Sequence, residues 1–294
     1  MATRTLLDQD LMRKLERLTL VSRKVSSSQT KGERKSNRRG SSNDFADYRN
    51  YVPGDDMRYL DWKIYARLEK LFLKLFLDEE NLQVHILVDT STSMRFGEPE
   101  KLHYARQVAA AIGYITICKQ DSVTIRAFGD GFAGTFGPKR GKGHAAAMFR
   151  FLEELPNTEL TSLQKTMYNF TVGTRGKGLV VILSDFYDQE GYEQAMRYLF
   201  GREFEVVALQ VLAPQEIKPE LQGDLRLVDV EFQDSTDISI GRTMLQQYDR
   251  SLKAFCGGLQ QYIVARGGSY LLARSDMPFD RLVLDLLVRQ GVIT

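Results

Sequence analysis

The chain has 294 residues, 43% hydrophobic and 27% charged, an ordinary globular composition with room for one large domain or two small ones. Forty basic against 38 acidic side chains leave a net charge of +2, which excludes nucleic-acid binding by bulk charge alone. The three histidines, His85, His103 and His144, show no metal-ligand spacing, and Cys118 and Cys256 read as reduced thiols in helix-like segments, so neither a zinc site nor a disulfide is expected. Asp8, Asp10, Arg13 and Lys14 stand where a secretory signal would need apolar residues. No run approaches the roughly 18 apolar residues of a membrane span. The expectation is a cytoplasmic protein with no span.

Leu7, Leu11, Leu15, Leu18 and Val21 recur at helical steps and predict an amphipathic helix over residues 5–24. Acidic residues lie early and basic ones late, as the helix dipole prefers. This helix is expected to pack on its own domain rather than on a membrane surface. Residues 25–43 are rich in Ser, Lys and Arg, lack apolar periodicity and read as a solvated loop. From 44 to 67 aromatics alternate with charges of both signs around the turn Pro53-Gly54-Asp55. Arg–Asp pairs should hold this segment, with Trp62 in its core. The apolar run 71–77, the polar residues 78–81 and the next apolar run predict an antiparallel hairpin. That hairpin would place one antiparallel edge on an otherwise parallel sheet.

Further on, strands and helices alternate. Helices are predicted at 100–119, 144–154, 159–170, 189–200, 241–265 and 280–290. Strands are predicted at Ser122–Phe128, Gly178–Ser184, Phe204–Leu212, Leu225–Phe232, Ile238–Ile240 and Ser269–Leu272. The glycine-rich residues 129–143 read as a hairpin or loop. Such alternation implies an α/β fold, doubly wound on a mostly parallel sheet with an antiparallel edge strand. Three segments follow: an N-terminal helix and basic loop at 1–43, the aromatic and charged segment with its hairpin strand at 44–80, and the α/β domain at 81–294.

The stretch Val84-His85-Ile86-Leu87-Val88-Asp89 is a buried strand running into a carboxylate, and Ser91 and Ser93 follow at alternate positions. Ligands of open α/β sheets bind at such carboxyl ends. One charged and two neutral oxygens on one loop suit a hard divalent cation, above all Mg2+. Leu179–Leu183 with Ser184-Asp185 repeats the pattern, and Thr158 opens a predicted helix. Asp89, Ser91, Ser93, Thr158 and Asp185 would supply five oxygens from three loops, and the two carboxylates would balance a 2+ ion. A vacant sixth position would accept an acidic group from a partner.

Asp89-Thr90-Ser91-Thr92-Ser93 resembles the Asp-x-Ser-x-Ser motif of the metal-ion-dependent adhesion site (MIDAS) of von Willebrand factor A domains. Gly40, Asp44-Phe45, Tyr48-Arg49, Tyr51, Pro53-Gly54-Asp55-Asp56, Arg58, Asp61-Trp62 and Ala66-Arg67 are similar to the signature of the bacterial domain-of-unknown-function 58 family. The resemblance covers about residues 35–290. It implies a von Willebrand factor A-like (Rossmann-like) domain with an N-terminal extension. It also implies a non-enzymatic binding module that takes Mg2+, or another divalent cation such as Mn2+ or Ca2+. Family members are linked with MoxR-type AAA+ ATPases as adaptors or co-chaperones, so such an ATPase or its client is the implied partner. Two positions depart from the pattern. Pro156-Asn157 replaces a common Gly-Gly before the metal-binding threonine, so Thr161 rivals Thr158, and Met57 replaces a proline.

Other chemistries fit less well. An Asp89 phosphatase nucleophile would need a second Asp where Ser91 stands. Ser91 and Ser93 lie in no Gly-x-Ser-x-Gly elbow. Gly137–Gly143 falls one residue short of a phosphate loop and ends in Gly143 instead of Ser or Thr. Either Asp alone could simply cap a helix. A metal-independent scaffold that binds through 44–67, with Arg58 and Trp62 as contact residues, is the alternative. A metal-dependent phosphatase is the more remote one.

Overall fold

The apolar runs fold as strands, and the periodic segments between them as helices. The structure, a computed structural model, describes residues 6–20, 45–76, 82–202, 204–220, 223–228, 235–278 and 281–282. In chain order the first elements are α1 (Gln9–Leu15), β1 (Phe45–Asn50), α2 (Trp62–Leu68), β2 (Phe72–Phe76), β3 (Gln83–Asp89), α3 (Lys101–Cys118), β4 (Ser122–Phe128) and β5 (Phe132–Lys139). Then come α4 (Ala145–Glu153), α5 (Leu163–Gly173), β6 (Gly178–Ser184), α6 (Glu193–Phe200), β7 (Phe204–Leu212) and α7 (Pro214–Ile217). The last are β8 (Gly223–Val228), β9 (Ser235–Ile240), α8 (Arg242–Val264) and β10 (Ser269–Arg274). The chain divides into two units, one of residues 30–81 and one of residues 1–29 with 82–294.

The larger unit is built on a six-stranded sheet in the order β10-β7-β6-β3-β4-β5. All neighbours are parallel except β4 and β5. Strands β6 and β7 are buried along their whole length, as parallel strands covered on both faces must be. Side chains of β3 alternate between two cores. Val84, Ile86 and Val88 face α1, α3 and α4, while Leu87 faces the core lined by α5, α6 and α8. The result is a mixed α/β domain, compatible with a Rossmann-like fold. Helix α3 is buried on nearly every side, and Gly113 lets Met148 of α4 approach it closely. Leu11 and Leu15 of α1 pack into this core, and the Tyr114 hydroxyl donates to Glu16 at 2.8 Å.

The antiparallel edge is β5, not the 71–77 segment. β2 pairs instead with β1 in a separate two-stranded sheet, Asn50 opposite Phe72. Two neighbouring apolar runs fix neither register nor partner, and β1 competes successfully for β2. Of the two readings of 129–143, the hairpin holds: Phe132, Gly134 and Phe136 pair antiparallel along β4. β8 and β9 form a further antiparallel pair, Gly223 opposite Ile240. The expected helix at 280–290 and the basic loop at 25–43 fall outside the described residues, apart from Arg281 and Leu282. Among the described residues no helix is long and apolar enough to cross a membrane.

The smaller unit is organised on Asp61. This residue caps α2, accepting from the amides of Lys63 at 2.9 Å and Ile64 at 3.2 Å. It also accepts from the Tyr48 hydroxyl at 3.0 Å and pairs with Lys74 at 3.1 Å. Burial alone would raise its pKa, but Lys74 and the other donors hold it at about 2. Arg49 donates to both Asp55 oxygens through its two terminal guanidinium nitrogens at 2.6 Å, and Arg58 pairs with Asp56 at 2.6 Å. The expected Arg–Asp pairs are therefore present. Trp62 is not in a core: it is 56% exposed, stacked edge-on against Tyr65. Asp61 takes the inward position at the start of this helix, and the next residue, Trp62, points outward.

Candidate functional site

The carboxyl ends of β3, β4 and β6 meet at one edge of the sheet. Val88 of β3 lies opposite Leu183 of β6, which brings Asp89 level with Ser184 and just before Asp185. Asp89 is fully buried and Asp185 almost so. The Ser184 hydroxyl donates to Asp89 Oδ2 at 2.6 Å, and the Ser91 amide donates to Asp89 Oδ1 at 3.0 Å. The Ser91 and Ser93 hydroxyls lie 3.0 Å apart. Ser93 is half-buried, so the group runs from a closed end at Asp89 towards a more open one at Ser93.

The loop before α5 closes over this edge. Gly129, at the end of β4, leaves room for it, since a Cβ there would collide with the Thr158 side chain. The Thr158 amide donates to Thr90 O at 3.0 Å, and the Thr92 hydroxyl donates to Glu159 O at 3.1 Å. The two candidate threonines part here. Thr158 Oγ1 lies 3.4 Å from Thr90 Oγ1, whereas the Thr161 hydroxyl donates to Asp89 Oδ1 at 3.3 Å. Asp89, Ser91, Ser93 and Thr161 thus form one connected group, and Thr158 braces the loop that carries Thr161.

Asp185 sits in a different environment. Its Oδ1 accepts from the Tyr187 amide at 3.0 Å, and its Oδ2 is 2.7 Å from Lys101 Nζ. Lys101 Nζ also lies 2.6 Å from Glu216 Oε1. Burial alone would depress the Lys101 ammonium, but Asp185 and Glu216 outweigh it and hold the pKa above its ordinary value. Burial also lifts the Glu216 carboxyl, against the pull of Lys101. With the ammonium so close, the ionised pair is the form we assign. Among the described residues no cationic side chain pairs with Asp89. Burial, and after it the charge on Asp185, push the Asp89 carboxyl up to about 7 despite the hydrogen bonds it accepts.

Two carboxylates, Asp185 and Glu216, share the Lys101 ammonium; with Asp89 ionised as well, the group holds three negative charges against one positive. Among the described residues no three His, Cys, Asp or Glu side chains converge as a metal-ligating group. A cation at Asp89 would therefore rest on hydroxyls and water beside the carboxylates, a donor set suited to Mg2+. The uncompensated charge at Asp89 and the open hydroxyls fit such an ion. Sequence reasoning missed Lys101, Glu216 and Ser184. The signal for Lys101 was a cation in the first turn of an apolar helix, against the dipole.

Arg58 and Trp62 lie on the smaller unit, Arg58 exposed and paired with Asp56. Both cysteines are free and half-buried.

The uncharacterized protein Mb1516 of Mycobacterium bovis is 28% identical over 232 residues, covering 77% of this chain and 73% of that one. The uncharacterized protein Rv1480 of Mycobacterium tuberculosis matches to the same extent. Among solved structures, the conserved hypothetical protein BatB from Bacteroides thetaiotaomicron aligns with a TM-score of 0.43 at 15% identity, over 72% of this chain and 99% of that one. An aerotolerance-related membrane protein from Bacteroides fragilis aligns with a TM-score of 0.44 at 15% identity, over 72% and 98%. The family model that matches residues 47–254 is described as a protein of unknown function, DUF58, and the chain belongs to that family.

Proposed function

We propose that the chain is a non-enzymatic, metal-dependent protein-binding module of von Willebrand factor A-like fold. A divalent cation, Mg2+ or a relative such as Mn2+, would be held by Asp89, Ser91, Ser93 and Thr161, with Asp185 behind them. The ion would supply an open position for a carboxylate from a protein partner. The residues of the chain keep Asp89 dry and hold the hydroxyls in register. The observation that carries this reading is the buried Asp89, which accepts only neutral hydrogen bonds and leads out to half-buried Ser93 and Thr161. The sequence resemblance points to a MoxR-type AAA+ ATPase or its client as the partner.

The test is affinity capture from the native cell with wild type and Asp89→Ala, in Mg2+ and in EDTA. The partner should be lost with Asp89→Ala and with EDTA. Undiminished capture in both would overturn the reading. A second reading has its own support: Trp62 and Tyr65 are 56% and 42% exposed on α2, which has no buried residue. If that face were the contact, Trp62→Ala would weaken capture more than Asp89→Ala.

A further inference from the structure

Asp89 ends β3 and Asp185 follows the last residue of neighbouring β6, yet among the described residues only Asp185 pairs with a cationic side chain. Lys101 is fully buried at the first residue of α3, where the helix dipole disfavours positive charge. Its ammonium lies 2.7 Å from Asp185 Oδ2 and 2.6 Å from Glu216 Oε1, with the Tyr187 ring centroid at 5.6 Å. The remaining oxygen of each carboxylate takes a backbone amide: Tyr187 N at 3.0 Å for Asp185 and Ala213 N at 2.6 Å for Glu216. The Asp185 carbonyl is held too, by Gln210 Nε2 at 2.9 Å. Asp185 is thus fixed from the interior of the protein. Among the described residues, the hydrogen bonds Asp89 accepts come from neutral donors: the Ser91 amide and the hydroxyls of Ser91, Thr161 and Ser184.

We propose that Lys101 is a positioning residue that reserves Asp185 for itself. A divalent cation at the site then has Asp89 as its one directly bound carboxylate and keeps charge for a carboxylate from outside. The proposal rests on the metal-binding reading above. Lys101 sets how tightly the ion is held and how strongly it attracts the partner. Without the ammonium, Asp185 is free to serve the ion, which is then bound more tightly and is less attractive to an outside carboxylate.

The test is calorimetric titration of Mn2+ into the full chain, with Lys101→Met and Lys101→Met/Glu216→Gln beside wild type. The double variant removes one charge of each sign, so net charge is unchanged and Asp185 alone is released. It also carries the test if Lys101→Met fails to fold. Wild type should bind one Mn2+, and the double variant should bind it at least tenfold tighter. Tightening is an effect that structural damage does not produce. Unchanged or weaker affinity in the double variant, with wild type binding, overturns the role of Lys101 and leaves the metal site standing. No Mn2+ binding by wild type overturns both.

Discussion

Lys101 Nζ lies 2.7 Å from Asp185 Oδ2, and each side chain is 1% exposed. Removing one partner of such a pair leaves an uncompensated buried charge, which costs about 3–5 kcal/mol. Lys101→Ala should lower the stability of the chain by that amount in urea titrations with EDTA present. A loss within about 0.5 kcal/mol, the range of ordinary surface changes, would contradict the pairing.

His85 lies on β3 between Phe170, at 5.3 Å, and Phe204, at 6.1 Å, and neither of its ring nitrogens has a hydrogen-bond partner among the described residues. Burial, and after it the charge of Arg126, lowers its pKa from 6.5 to about 4. The unfolded chain then binds the extra proton across that interval. Stability from this group is fully present above about pH 6.5 and is lost as pH falls towards 4, by about 3 kcal/mol in all. Comparing urea unfolding of wild type and His85→Leu across this range isolates the effect. The variant should lack this part of the slope, and an identical slope would contradict the assignment.

Asp89 acts in the opposite sense. Its carboxyl is raised to about 7, so without metal the folded chain binds more protons than the unfolded one between about pH 3.8 and 7. Its contribution is most favourable below that window and is lost as pH rises through it. In EDTA, Asp89→Asn should gain melting temperature relative to wild type above pH 7, and the gain should shrink towards pH 4. A difference independent of pH would contradict the raised carboxyl. Mg2+ should reverse the order at high pH, because it favours the ionised form.

Asp61 and Trp62 are adjacent but have different tasks. Asp61 holds the start of α2 and gathers Tyr48 and Lys74, while Trp62 points outward. Asp61→Ala should speed hydrogen exchange at the Lys63 and Ile64 amides. Trp62→Ala should leave exchange there unchanged and stability within about 0.5 kcal/mol. Equal acceleration in both variants would mean that Trp62 supports the fold.

Much of this architecture was legible because buried parallel strands are written as continuous apolar runs. β3, β4, β6 and β7 could be read so, and with them the carboxylates of Asp89 and Asp185 at the strand ends. Strand partners were less legible. Proximity in sequence pairs β2 with β3, and nothing local says that β1 competes for it. β5 falls in the segment read as a hairpin or loop; the antiparallel β4–β5 pair is that hairpin, and glycines at 134 and 137 mask the alternation that would have marked its second strand. Trp62 misled because aromatic identity does not specify which way a residue at a helix start points. Lys101 stands out in sequence as a cation in the first turn of an apolar helix, but its partners do not, since its carboxylates lie 84 and 115 residues away. Thr161 and Thr158 were inseparable until the loop's bond to Thr90 showed which hydroxyl reaches Asp89.

The most direct measurement is electron paramagnetic resonance of Mn2+ titrated into wild type, Asp89→Ala and Ser93→Ala at neutral pH. One ion should bind per wild-type chain and be displaced by Mg2+. Binding should be lost with Asp89→Ala and weakened with Ser93→Ala. Equal occupancy in all three proteins, or no bound ion in wild type, would contradict a cation held at Asp89.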